Sequence, residues 1–203
     1  MAENKGDHAF TAKSLYGTVA EPPYTGALSF MRRRYTRELA GVDVAVTGVP
    51  FDLATSNRPG ARFGPSAIRK ASAQLAWGPH WPWGFNPFDR LAVIDYGDCY
   101  FDYGYADRML AAVEAHAGEI IAAGVSMLTL GGDHFVSLPL LRAHAKVHGP
   151  LSLVHFDAHS DTWAEENYNH GSMFFHAKNE GLIEPGRSVQ VGIRTHNSET
   201  HGF

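Results

Sequence analysis

The chain is poor in cysteine, in positive charge and in long apolar runs, and each scarcity excludes a class of protein. Its 203 residues include a single cysteine, Cys99, which excludes an internal disulfide framework and suits a reducing compartment. A net charge of −4 argues against nucleic acid or an anionic membrane as the main partner. No apolar run reaches the roughly 18 residues of a membrane span. We therefore expect a cytoplasmic protein that binds neither nucleic acid nor membrane.

What the chain does contain is an alternation of apolar strands and amphipathic helices. The pattern predicts strands at 42–47, 91–94, 125–130, 151–156 and 188–193 and helices at 65–75, 106–123 and 135–147. Such an order predicts a three-layer α/β/α fold with a mostly parallel sheet. We expect an N-terminal arm over 1–40, partly disordered, and an α/β domain over 41–203. The basic run Arg32–Arg34 is interpreted as solvated or as a subunit contact.

Two short segments place metal-ligating residue types directly after predicted strands. Gly-Gly-Asp-His ends at His134, and Asp-Ala-His-Ser-Asp runs from Asp157 to Asp161. In extended backbone Asp157, His159 and Asp161 would point the same way, and His134 would arrive from the preceding strand. Oxygen and nitrogen donors without sulfur suit a borderline or hard divalent ion such as Mn²⁺ better than a structural zinc. We predict a catalytic metal site that holds one or two ions.

An ordinary structural role is the alternative for each of these residues. A single His or Asp at a strand end is usually a cap or a satisfied polar contact. Several donors in strict alternation, with a further His after two glycines, favour the metal. His155 shares the alternation but lies deeper in the apolar run 151–156. We interpret it as a packed or supporting histidine rather than a ligand.

Three segments together resemble one known family of enzymes. They are Gly-Gly-Asp-His-Phe-Val-Ser-Leu-Pro at 131–139, His-Phe-Asp-Ala-His-Ser-Asp at 155–161 and Asn-His-Gly-Ser-Met at 169–173. In order and spacing they resemble the arginase/agmatinase ureohydrolases, and most of all the bacterial agmatinase branch. The resemblance also includes the loop and helix from Arg58 to Arg69, and it covers nearly everything after the first 40 residues.

The resemblance implies an arginase-like fold and a binuclear Mn²⁺ site at which activated water attacks a guanidinium carbon. His134 and Asp161 would bind one manganese, His159 the other, and Asp157 would bridge them and take part in catalysis. His170 is similar to the family's loop histidine, which passes a proton to the departing amine. The chemistry agrees, because a guanidinium ion is a poor electrophile that needs hydroxide near neutral pH, and imidazole can protonate an amine.

The substrate that the resemblance implies is agmatine, hydrolysed to putrescine and urea by a homo-oligomer, a trimer or a hexamer. The loop 162–169 contains Glu165 and Glu166 and no Lys or Arg, which favours an ammonium tail over a carboxylate tail. Adjacent glutamates on a loop are, however, usually solvated surface. An amidinohydrolase that acts on guanidinobutyrate or another guanidino compound is the first alternative.

The family's third metal segment, an Asp-x-Asp from a later strand, has no counterpart in this sequence. No Asp follows Asp161, and members of the family extend about 100 residues further. We therefore expect a domain that is incomplete at its C-terminus, with donors enough for one ion and open positions. An inactive remnant that binds one metal or a subunit partner is the second alternative. A zinc deacetylase with a related core is the third.

Overall fold

The computed structural model describes residues 6–103 and 105–196. Its helices are α1 (His8–Thr11), α2 (Gly64–Ser72), α3 (Met109–Ala122), α4 (Ser137–His148) and α5 (Met173–Asn179). Its strands are β1 (Val44–Val49), β2 (Val93–Asp98), β3 (Ser126–Gly131), β4 (Val154–Phe156) and β5 (Val189–Val191). Short 3₁₀ turns lie at Phe30–Arg32, Ala61–Phe63, Ala73–Leu75, Pro87–Asp89, Ala106–Arg108, His134–Val136 and Pro185–Arg187. Within the described ranges, no helix has both the length and the apolar character to cross a membrane.

All of the paired strands run parallel. β1 lies between β2 and β3 in one sheet, and β4 pairs with β5 in another. Parallel strands need a crossover connection, and α2 and α3 provide it between β1 and β2 and between β2 and β3. The predicted α/β class with parallel strands is confirmed, with the difference that the described strands are divided between two sheets.

The boundaries of α2 and α3 follow from signals in the sequence. The apolar residues of α3 recur at helical spacing, and Met109, Val113 and Ile120 are fully buried. The helix ends before Gly124, which has a φ of 71°, a conformation that glycine adopts without strain. α2 has Pro65 in its first turn, where a missing N–H costs no hydrogen bond.

The first sheet lies between two layers. On one face, Ala45 and Ile94 pack against Ile120 of α3. On the other face, Val46 packs with Phe88, and Asp95 of the same face binds Arg69 of α2. Full burial of each aliphatic side chain contributes about 1.5–3 kcal/mol. Helices on both faces agree with the predicted three-layer arrangement.

The surface position expected for the basic run Arg32–Arg34 is wrong for its first two residues. Arg32 is 0% and Arg33 3% exposed. Arg32 donates to two loop carbonyl oxygens and lies 3.2 Å from Glu21, and the Arg33 guanidinium lies 4.1 Å over the Phe88 ring. Irregular backbone has carbonyl groups without strand or helix partners, and the many N–H donors of arginine satisfy them.

The N-terminal segment runs along the first sheet. Tyr35 forms a parallel bridge with Asp95 of β2, and the Phe30 N–H donates to the Asp95 carboxylate at 2.7 Å. The division into an arm over 1–40 and a domain over 41–203 stays a prediction. Residues 1–5 of that arm lie outside the described residues.

Candidate metal centre

The two metal-ligating segments meet at the carboxyl ends of β3 and β4. β3 ends at Gly131, shortly before His134, and β4 ends at Phe156, directly before Asp157. His134 Nδ1 lies 2.7 Å from Asp161 Oδ2 and 3.4 Å from Asp157 Oδ2. The convergence that the strand order predicts for these three residues is therefore present.

The first segment depends on a glycine and a cap. A Cβ on Gly132 would clash with the Phe51 carbonyl oxygen, so a larger residue would displace that backbone. The Asp133 carboxylate accepts hydrogen bonds from the N–H groups of Phe135 and Ala54, both at 3.0 Å. These contacts fix the turn from which His134 projects.

The second segment does not have the extended conformation that the alternation predicts. Asp157 Oδ1 accepts a hydrogen bond from the His159 N–H at 2.9 Å, which bends the chain. Asp161 then adopts a φ of 53°, a left-handed conformation that aspartate tolerates better than most residues. The extended conformation is therefore absent: Asp157 and Asp161 lie beside His134, and the His159 side chain is 56% exposed with its Nδ1 3.5 Å from Asp157 Oδ1.

Four residues place donor atoms within 4.8 Å of one another: His134, His155, Asp157 and Asp161. Two ligands that share an ion at about 2.1 Å lie roughly 3 Å apart. The separations of 2.7 and 3.4 Å from His134 to the two aspartates lie on either side of this value. Carboxylates and imidazole without sulfur suit a borderline or hard divalent ion. The residues present therefore fit one such ion.

His155 contacts this group but is not suited to bind the ion. Gln190 Nε2 donates to the Ser160 carbonyl at 2.7 Å and lies 3.0 Å from His155 Nδ1. An amide nitrogen only donates, so Nδ1 accepts and a neutral His155 ring carries its proton on Nε2. This buried Nε2 has no hydrogen-bond partner among the described residues and lies 3.5 Å from Asp157 Oδ2. A protonated nitrogen cannot bind an ion, which agrees with the interpretation of His155 as a supporting residue.

The charges of the group are set by its surroundings. Burial and the neighbouring His134 ring lower the pKa of His155, which keeps that ring neutral. Burial on its own would raise the pKa of Asp157, but the His159 N–H and the His134 ring outweigh it, and the pKa is lowered. An ionised carboxylate is the state in which aspartate binds metals.

Asp157 presents its two oxygens to different histidines. Oδ2 lies 3.4 Å from His134 Nδ1, and Oδ1 lies 3.5 Å from His159 Nδ1. His159 is outside the group of four, yet it is within reach of the same carboxylate. A carboxylate divided in this way has the geometry of a bridging ligand.

A cavity of about 580 Å³ opens beside the centre, a volume typical of small-molecule sites. Asp161, His159 and His170 line it, and Glu165 lies on its wall. Among the described residues that line this cavity there is no Lys or Arg. The lining therefore favours a cation over an anion.

His170 is held by a residue that sequence reasoning missed. The Ser56 N–H donates to His170 Nε2 at 3.1 Å, and Ser56 Oγ lies 2.9 Å from the same nitrogen. The His170 N–H in turn donates to the Ala54 carbonyl at 3.1 Å. The two positions are 114 residues apart, and no local pattern in one sequence connects residues at that separation.

Comparison with known proteins identifies the family. The model described as "Arginase family" matches residues 42–203. An agmatinase from Chromobacterium violaceum is 55% identical over 202 residues, which are 98% of this chain and 63% of that protein. An agmatinase from Serratia proteamaculans is 58% identical over 160 residues, which are 78% of this chain and 52% of that protein.

Solved structures agree with the sequence matches. The crystal structure of a hypothetical agmatinase from Burkholderia thailandensis has a TM-score of 0.92 at 58% identity, over 96% of this chain and 62% of that one. A proclavaminate amidino hydrolase from Streptomyces clavuligerus has a TM-score of 0.79 at 39% identity, over 88% and 60%. The chain thus spans less than two thirds of the length of these relatives. Matched by the family model over residues 42–203 and similar in fold to these solved structures, the chain belongs to the arginase family.

Proposed function

We propose that the protein hydrolyses the guanidinium group of agmatine to putrescine and urea. The observation that carries the proposal is the convergence of His134, Asp157 and Asp161 beside a cavity with acidic lining. The 55% identity to a protein named agmatinase supports agmatine as the substrate. Because the chain spans only 63% of that relative, its activity is part of the proposal.

In this proposal His134, Asp161 and Asp157 Oδ2 hold one divalent ion, and His159 with Asp157 Oδ1 forms part of a second position. A bound divalent ion supplies hydroxide near neutral pH, because it lowers the pKa of water. Asp161 also lines the cavity, so the ion would lie at the cavity wall. The N–H at His155 Nε2 lies 3.5 Å from Asp157 Oδ2 and supports that carboxylate electrostatically.

His170 is the proposed proton donor to the departing amine. The Ser56 N–H can only donate, so His170 Nε2 accepts and the neutral ring carries its proton on Nδ1. The form that gives a proton is the imidazolium, in which Nε2–H can donate to Ser56 Oγ, 2.9 Å away, and Nδ1–H protonates the amine. Imidazole has a pKa suited to this transfer near neutral pH.

Manganese, the assembly and the compartment belong to the same proposal. Mn²⁺ suits the carboxylate and imidazole donors, and two ions are proposed for the complete family site. A homo-oligomer, trimeric or hexameric, rests on the family resemblance alone. The cytoplasm suits a chain with a single buried cysteine.

The deciding experiment is urea release from agmatine by this chain after loading with Mn²⁺, with the bound metal counted. We expect sustained release, and we expect His170→Ala to keep its metal while turnover falls by about 10²–10⁴. A metal-loaded chain that releases no urea would refute the proposed activity. Loss of metal from the His170 variant would instead show that this residue has another role.

A further inference from the structure

We infer that Glu165 determines substrate specificity by pairing with an ammonium group at the end of the substrate opposite the guanidinium. The inference rests on the proposed function and deepens it, since it assigns recognition of the substrate tail to one side chain. The sequence shows two adjacent glutamates, and only the structure distinguishes them. Glu165 lines the cavity beside the metal centre, whereas Glu166 is not part of the described lining.

The Glu165 carboxylate is held in place by Asn169. The Gly171 N–H donates to Asn169 Oδ1 at 2.8 Å, which fixes the orientation of the amide. Asn169 Nδ2 therefore faces Glu165 and donates to its Oε2 at 2.6 Å. A carboxylate fixed before binding loses less conformational entropy when a ligand arrives than a freely rotating one.

Part of the cavity wall is aromatic. Trp163 and Tyr168 line it together with Glu165. Trp163 lies so close to Gly171 that a Cβ there would be 2.9 Å from the indole ring, so the ring is held against the loop. An apolar wall suits the methylene chain of a substrate whose two ends are polar.

The charges of the lining point to a ligand whose tail is a cation. Glu165 lies on the wall, and none of the described lining residues is Lys or Arg. A carboxylate tail would meet a like charge without a counter-ion, which disfavours guanidinobutyrate-type compounds. Glu165 thus both attracts one class of tail and rejects the other.

The test compares two ligands that differ only at the tail. Agmatine ends in an ammonium group, and pentylguanidine has a methyl group in its place. Their affinities for the Mn²⁺-loaded chain are measured by calorimetry for the unmodified protein, for Glu165→Gln and for Glu166→Gln. The last variant is the matched control, because it removes the same charge one residue away.

We expect Glu165→Gln to weaken agmatine binding about two- to fivefold, the range of an exposed ion pair, and to leave pentylguanidine within about twofold. Glu166→Gln should change neither affinity. An equal loss for both ligands, or an equal effect of both variants, would contradict the inference. So would an unmodified chain that binds agmatine no better than pentylguanidine. The urea assay fails or succeeds separately, so a failure of the proposed function is distinguishable from a failure of this inference.

Discussion

The two sheets of the molecule differ in whether a buried polar side chain has all its hydrogen-bond partners. In the first sheet, the Asp95 carboxylate accepts two hydrogen bonds from the Arg69 guanidinium, at 2.7 and 3.0 Å. In the second sheet, His155 is equally buried, but its Nε2 has no partner among the described residues. A buried polar group without a partner is uncommon and calls for an explanation. Here the explanation is functional, because the unpartnered nitrogen faces the carboxylate of a metal centre.

The solvent exposure of the apolar residues also differs between the two sheets. Val46 and Ile94 of the first sheet are 0% exposed, whereas Val154 and Phe156 of β4 are 63% and 76% exposed. In β4 the imidazole points inward and its apolar neighbours point outward, the reverse of an ordinary half-buried strand. The strands of the first sheet are therefore packed into apolar cores, whereas β4 directs its histidine inward beside the metal-ligating side chains.

The largest difference between the two sheets is expected in the free energy of unfolding when a buried polar side chain is replaced. Arg69→Met leaves the buried Asp95 charge unpaired and should lower the free energy of unfolding by about 3–5 kcal/mol. His155→Leu removes the hydrogen bond between Gln190 Nε2 and His155 Nδ1, although Gln190 keeps its hydrogen bond to Ser160. It should lower the metal-free stability by only about 1–2 kcal/mol, because the Nε2 that it also removes has no partner in the described part of the chain. Urea denaturation of the metal-free chain measures both, and similar losses would remove the distinction between the sheets.

The next effect concerns the apolar residues. Ile94→Ala should cost about 2–5 kcal/mol, because it leaves a cavity in the packed core. Phe156→Ala should stay within about 0.5 kcal/mol, as surface substitutions do. The same denaturation experiment, at two protein concentrations, checks this pair. A large loss for Phe156→Ala that grows with concentration would mean that the exposed face of β4 is covered by another chain in solution.

The sequence predicts the framework better than the site, for physical reasons. Strand order and helix period depend on many apolar residues, and errors at single positions average out, as in α3. Parallel strands end at the same edge, so the meeting of His134 with Asp157 and Asp161 is also predictable. The bend in the chain after Asp157 is not, because it depends on one side chain to backbone hydrogen bond, from the His159 N–H to Asp157.

Contacts between distant loops are equally invisible in a single sequence. Ser56 and His170 carry no pattern that pairs them, and nothing in two adjacent glutamates tells which lines the cavity. The burial of Arg32 escapes prediction because its partners are loop carbonyl groups, which every residue type provides. Such contacts depend on the path of the backbone, whereas the periodic patterns depend on side-chain type.

The smallest expected effects are on Mn²⁺ affinity. They distinguish a histidine that supports a ligand, His155, from one proposed to bind an ion, His159. His155→Leu deprives Asp157 of the N–H aimed at it and should weaken binding of the first Mn²⁺ about 10- to 100-fold. His159→Ala removes an exposed imidazole that is outside the group of four, so the first ion should bind within about threefold of its original affinity.

Manganese titration followed by electron paramagnetic resonance separates the two variants, since free and bound Mn²⁺ give distinct signals. If a second ion binds to the unmodified chain, His159→Ala should abolish that step alone, because its Nδ1 is the imidazole nitrogen beside Asp157 Oδ1. The reverse result, a first ion lost with His159 and kept without His155, would mean that metal binding rearranges the loop 157–161. His159 would then replace Asp161 or His134 in the group, and the left-handed turn at Asp161 would belong only to the metal-free chain.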